Sequence, residues 1–144
     1  MMDVGIDVGG TNLRAGVVDE QGKLLSRVSQ PVGTLKSPEE LIRRLAELAQ
    51  KAVEDAGTPE KQIQSVGVGI PGAVSEGNIL YTCNLPLRDV PFEQLFRRFF
   101  DRRIIPHIFC TSADFRKLVC TEPEYRRAHN RQQRNVLQGV VYYL

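Results

Sequence analysis

The chain has no tryptophan, only two histidines and three cysteines, and 7% aromatic residues. An odd, small number of cysteines closes no disulfide framework, so a reducing, cytoplasmic compartment is expected. No apolar run approaches the ~20 residues of a membrane span, and no membrane is expected among the partners. No basic stretch precedes an apolar one at Met1-Met2-Asp3-Val4-Gly5, so no signal peptide is read there. What remains is ordinary for a globular protein: 144 residues, 42% hydrophobic and 25% charged. That length suits one domain on the usual prior of ~100–200 residues.

Scarcity is also uneven along the chain. After residue 96 there is a single glycine, Gly139, out of twelve, and there are four acidic residues against ten basic ones. Before residue 97 the balance is reversed, with thirteen acidic against nine basic. Such asymmetry marks parts with different jobs or histories. We therefore divide the chain into 1–100 and a divergent basic tail, 101–144, for which disorder or a change of reading frame is left open.

Met2–Val8 and Leu13–Val18 read as strands around Gly9-Gly10-Thr11-Asn12, and Lys23–Gln30 as a third after the turn Asp19–Gly22. Turns this short imply an antiparallel meander. Ser37-Pro38-Glu39-Glu40 is a helix start with a capping serine, proline at the first position and a capping-box glutamate. Leu41, Leu45, Leu48, Ala52 and Ala56 recur at helical spacing, with Ile42, Ala49 and Val53 widening the stripe. Gly57 suits the C-terminal cap. Ser65–Ile70 reads as a buried strand, Val74–Asn84 as a hairpin around Glu76-Gly77-Asn78, and Pro91 as the start of a helix with Phe92, Leu95, Phe96 and Phe99 apolar. The fold class expected is α/β: a mixed sheet with a three-strand antiparallel meander, parallel strands and flanking helices.

The stretch GIDVGGTNLRAGVVD, Gly5 to Asp19, joins a carboxylate to two glycines and a hydroxyl. Glycine permits positive φ and close approach to the backbone, and successive turn N–H groups can form a nest for an anion. Asp7 would repel a phosphate unless Mg²⁺ lay between them, taking oxygen ligands and retaining water. Asp7, Gly9, Gly10, Thr11 and Asn12 are therefore the candidate nucleotide-phosphate residues, with Asp7 the indirect Mg²⁺ partner. No Gly-Lys-Ser/Thr follows, so this is not a Walker loop; no third glycine opens a helix, so it is not a dinucleotide fingerprint. A plain tight turn with a solvated Asp7 would explain Gly-Gly alone; Thr11, Gly16 and Asp19 beside it favour phosphate.

The same stretch, GIDVGGTNLRAGVVDEQGKLL, resembles the phosphate-loop signature of the ROK family (repressors, open reading frames and kinases), which includes bacterial glucokinases. VGVGIPGAVSEGNILY and NLPLRDVPFEQLF are similar to two further segments of that family, in the same order. The resemblance covers about residues 2–100. It implies the N-terminal, ribonuclease H-like lobe of an actin-like ATPase fold, with ATP, Mg²⁺ and a hexose as ligands. It implies that Gly72 and Asn84 lie near the sugar. A strand-terminating turn at Pro71-Gly72, and a local cap by Asn84, are the alternative readings of those residues.

In the family an Asp in a Glu-Asn-Asp-Ala-Asn type segment is the general base. Here Pro106–Phe109 stands as the strand before it, and Cys110-Thr111-Ser112-Ala113-Asp114 follows. Ser112 falls where the base is expected, and a hydroxyl is no carboxylate base; Asp114, two residues on, is the weaker candidate. The Gly-Thr-Gly motif of the second lobe is missing. His107, Cys110, Cys120 and His129 match no standard zinc spacing, so no zinc site is expected. The arginines at 126, 127, 131 and 134 lack interleaved aromatics, and nucleic acid is not an expected partner. A homo-oligomer is left open. The resemblance thus implies a fragment or truncated form of a glucokinase-type hexose kinase, inactive alone; the alternative is a noncatalytic ROK relative that binds a ligand or partner.

Overall fold

A computed structural model gives the architecture; it describes residues 1–82, 85 and 87–101, and the backbone of a strand at 103–108. Alternation of apolar residues with short or polar ones builds the first three strands, β1 (Met2–Val8), β2 (Asn12–Val18) and β3 (Leu24–Pro31). Val4, Ile6 and Val8 of β1 and Leu13, Ala15 and Val17 of β2 are buried on one face. Asp3, Gly5 and Asp7 therefore point to the other, as period two requires. The strands form the expected antiparallel meander, with Gly5 opposite Gly16 and Asp7 opposite Arg14.

Helix α1 (Pro38–Asp55) packs on the Val4–Ile6–Val8 face. Its cap is half of the expected box. The Glu40 N–H donates to Ser37 Oγ at 3.2 Å. The Glu40 carboxylate, however, accepts from the Lys36 N–H, one residue beyond the cap, at 2.9 Å, and from Arg44 at 2.9 Å. At the other end Gly57, with φ +63°, donates to the Glu54 carbonyl and Thr58 to the Val53 carbonyl. That is the Schellman pair, and it needs a residue that tolerates the left-handed region. The predicted stripe is buried as far as Val53, with Ala46 added to it and Ala56 only partly covered.

A 3₁₀ turn at Glu60–Gln62 leads into β4 (Ile63–Ile70), which lies parallel to β1. A second, small sheet follows: β5 (Gly72–Ser75), β6 (Asn78–Thr82) and β7 (Arg88–Val90), all antiparallel. Between Ser75 and Asn78, Glu76 (φ 48°) and Gly77 (φ 79°) form a two-residue turn with both φ positive. This is the hairpin turn whose twist matches its strands. A three-residue strand leaves no periodic trace, so β7 was not legible in the sequence.

Helix α2 (Phe92–Arg97) is short. Phe92, Leu95 and Phe96 face inward as expected, but Phe99 does not: it is 46% exposed, and Phe100 is buried instead. The helix ends at Arg97, and a closing turn, with both Phe99 and Phe100 donating to the Phe96 carbonyl, carries Phe100 under Phe96. The rings of Phe92 and Phe96 lie 5.6 Å apart and those of Phe96 and Phe100 6.1 Å apart. Strand β8 (Arg103–Ile108) completes the large sheet, in the order β3-β2-β1-β4-β8, parallel to β4. It includes Pro106-His107-Ile108 of the expected strand Pro106–Phe109, whose last residue lies outside the described ones, and it follows the boundary drawn at residue 100.

Candidate functional site

The parallel strands β1, β4 and β8 all run the same way, so their C-terminal ends share one edge of the sheet. The turn after β1 and the Pro71-Gly72 exit from β4 both lie at that edge. In open α/β sheets it is the usual ligand edge.

The β1–β2 turn is tight because its register pairs Val8 with Leu13, and the Gly9 N–H donates to the Asn12 carbonyl at 3.0 Å. A second bond, from the Val32 N–H to the Thr11 carbonyl at 2.8 Å, ties the turn to the end of β3. Gly10 and Thr11 are left exposed at its tip. Positive φ occurs at Gly22, Gly33, Gly57 and Gly77 but at neither Gly9 nor Gly10. Gly9 is required for another reason: a Cβ there would sit 2.7 Å from the Asn12 carbonyl oxygen. Gly9 therefore serves close approach, not a left-handed backbone.

Asp7 lies at the base of this turn, its side chain 24% exposed. Burial pushes its carboxyl above the usual range; the charge of Arg14 and a hydrogen bond from it pull the other way. Arg14 Nη1 is 3.4 Å from Asp7 Oδ2. Sequence reasoning passed over Arg14, although the signal was present. A turn centred on Gly10-Thr11 makes Asp7 and Arg14 cross-strand partners, on the same face by the period of two. On the opposite flank of Asp7 the partner is Gly69 of β4, with no side chain.

Asp19 does not join this group. Its carboxylate accepts from the N–H groups of Gln21 and Lys23, at 3.0 and 2.9 Å, and closes the β2–β3 turn at the far end of β2. Gly72 pairs with Thr82, and a Cβ on it would overlap the Tyr81 carbonyl oxygen. That steric demand accounts for the glycine as the start of a hairpin strand. Asn84, Ser112, Asp114, Cys110, Cys120 and His129, and the side chain of His107, lie outside the described residues. Among the described residues no three His, Cys, Asp or Glu side chains cluster as metal ligands. One carboxylate beside an open turn fits Mg²⁺, which is commonly held by one or two carboxylates plus substrate phosphates.

The ROK family model matches residues 3–110. The chain belongs to the ROK family. A glucokinase of Streptomyces coelicolor is 34% identical over 95 residues, which are 65% of this chain and 28% of that protein. The ROK hexokinase of Thermus thermophilus superposes with a TM-score of 0.66 at 32% identity, covering 75% of this chain and 35% of that one. A ROK glucokinase of Streptomyces griseus, solved with glucose and AMPPNP, gives 0.65 at 25% identity, covering 75% and 33%. A xylose repressor of Caldicellulosiruptor bescii is also similar, 26% identical over 100 residues, 68% of this chain and 25% of that protein. The ROK chain thus spans about a quarter to a third of the length of these relatives. Its fold is that of the ROK sugar kinases, the actin-like ATPase fold, and the match continues through β8. Among the described residues no helix is long and apolar enough to cross a membrane.

Proposed function

We propose that this chain supplies the phosphate-binding lobe of an ATP-dependent hexose kinase of the glucokinase type, and does not complete phosphoryl transfer alone. The observation that carries the reading is the tethered turn: exposed Gly10 and Thr11 directly above a half-buried Asp7 at the ligand edge of the sheet. The glucose and AMPPNP held by the Streptomyces griseus relative support ATP and a hexose as the ligand classes.

In this reading Gly10, Thr11 and Asn12 meet the nucleotide phosphates with backbone N–H groups and a hydroxyl, while Gly9, whose N–H is bonded to the Asn12 carbonyl, holds the turn closed and leaves the phosphates room. Asp7 would hold Mg²⁺, directly or through retained water. When bound, Mg²⁺ neutralises charge on the transferring phosphoryl group. The bonds from Gly9 to Asn12 and from Val32 to Thr11 fix the turn before a ligand arrives, so little is spent on ordering it. Gly72 and Asn84 would lie toward the sugar. The base is the missing element: Ser112 stands where an aspartate is expected, and Asp114 is displaced from it. A noncatalytic ROK relative that binds a ligand or partner is the second reading, favoured by that serine and by the xylose repressor's similarity.

Calorimetric titration with MgATP tests the first reading. The wild-type chain is expected to bind, and Gly10→Val to bind at least about tenfold more weakly, because a branched side chain would stand where the phosphates approach. Unchanged affinity in Gly10→Val, or no binding by the wild type, overturns the phosphate-loop role. A coupled assay with glucose should show no turnover near the common kinase range of about 1–100 s⁻¹. Turnover in that range would refute the claim that the chain does not act alone.

A further inference from the structure

The proposed phosphate turn has a cation built into it. Arg14 projects beside Asp7 on the sheet face opposite α1, its guanidinium 3.4 Å from the carboxylate and its side chain 39% exposed. The other register neighbours of Asp7 carry no charge: Gly69 on β4, and Gly5 two residues back on its own strand. Among the described residues Arg14 is thus the one charged side chain that the sheet register sets beside this carboxylate. A guanidinium has five N–H donors, and its contact with Asp7 leaves most of them free for another acceptor.

We propose that Arg14 is a selectivity residue: by occupying the Asp7 carboxylate it admits a divalent cation only together with a polyphosphate, and excludes the free ion. The inference rests on the phosphate-loop reading and deepens it. A free divalent cation approaching Asp7 would share a single carboxylate with a fixed positive charge a few ångströms away, in a partly desolvated setting where that repulsion is strong. A polyphosphate changes the balance. It brings several negative charges, and its oxygens can accept from the remaining Arg14 donors while also meeting the metal. Metal and nucleotide then bind as a coupled pair, each raising the affinity of the other by the same factor. Arg14 acts here on the metal through Asp7 and on the polyphosphate directly, and no step of the phosphoryl transfer is assigned to it.

The probe is Mn²⁺ alone, followed by electron paramagnetic resonance on the full chain. Arg14→Gln is expected to bind free Mn²⁺ about tenfold or more tightly than the wild type, because a neutral side chain removes the repulsion. Arg14→Lys keeps the charge and should stay near the wild-type value, which a purely structural role would not produce. Adding Asp7→Asn to Arg14→Gln should abolish the gain. Arg14→Met is a second neutral variant should Arg14→Gln fail to fold. Equal Mn²⁺ affinity in wild type and the neutral variants, including no binding by either, overturns the proposal, as does a gain that survives loss of the Asp7 carboxylate. The MgATP titration is read separately. Absent nucleotide binding defeats the phosphate-loop reading, whereas an unchanged Mn²⁺ affinity defeats only the role given to Arg14.

Discussion

Asp7 is a carboxylate held at a cost to stability. Its carboxyl is pushed up by burial, and Arg14 offsets only part of that. An acid whose folded pKa is raised favours the folded state when protonated. The favourable contribution is fully present below the ordinary carboxylate range and is lost as pH rises through the raised value. At neutral pH the ionised Asp7 is therefore a net cost. Asp7→Asn is expected to raise the melting temperature at pH 7, with the advantage shrinking toward zero as the pH is lowered through the carboxylate range. Melting curves at several pH values check this; a loss of stability at pH 7 would mean that the Arg14 pair outweighs the burial. The sequence identified Asp7 and the two glycines as a unit. It did not show that Gly9 is demanded by the Asn12 carbonyl rather than by positive φ, because that contact depends on the closed turn.

Elements were legible where local chemistry fixes them. The start of α1 is written in Ser37-Pro38-Glu39-Glu40, and the structure returns the Ser37 cap and the Gly57 stop. Ser37→Ala should lower stability by about 1 kcal/mol, the usual value of a capping side chain, since the Glu40 N–H would lose its acceptor. Urea unfolding measures it; a change below about 0.3 kcal/mol would show that the cap is dispensable, well under the range for such substitutions. The partner of Glu40 was not legible. Its carboxylate bonds Lys36 and Arg44, and a hydrogen bond to an N–H outside the helix depends on how the incoming chain bends. The β5–β6 hairpin is similar. Glu76-Gly77 could be read as a turn. Its docking could not: Gly77 carbonyl accepts from the Glu93 N–H at 2.9 Å, with the Glu93 side chain where a Cβ would stand.

At the scale of the whole molecule, one core cluster joins both sheets and both helices. The Phe92–Phe96–Phe100 stack links α2 to that core. Phe96→Ala should cost about 3–5 kcal/mol, a large part of the ~5–15 kcal/mol that holds a typical domain together. Phe99→Ala, at an exposed position, should stay within about 0.5 kcal/mol. Chemical denaturation of the two variants decides it, and equal losses would mean that Phe99, not Phe100, faces the core in solution.

The sequence by itself determined the meander, the first helix with its caps, the buried parallel strand and the family. These follow from period, turn chemistry and motif order, all of which act over a few residues. Tertiary structure decided which side of the second helix is covered, and it added β7. It set Arg14 against Asp7 and brought the ends of β1, β4 and β8 to one edge. The physical reason is that pairing register and packing are contacts between residues far apart in the chain. Period alone assigns a side chain to a face, and only the assembled sheet decides what that face meets.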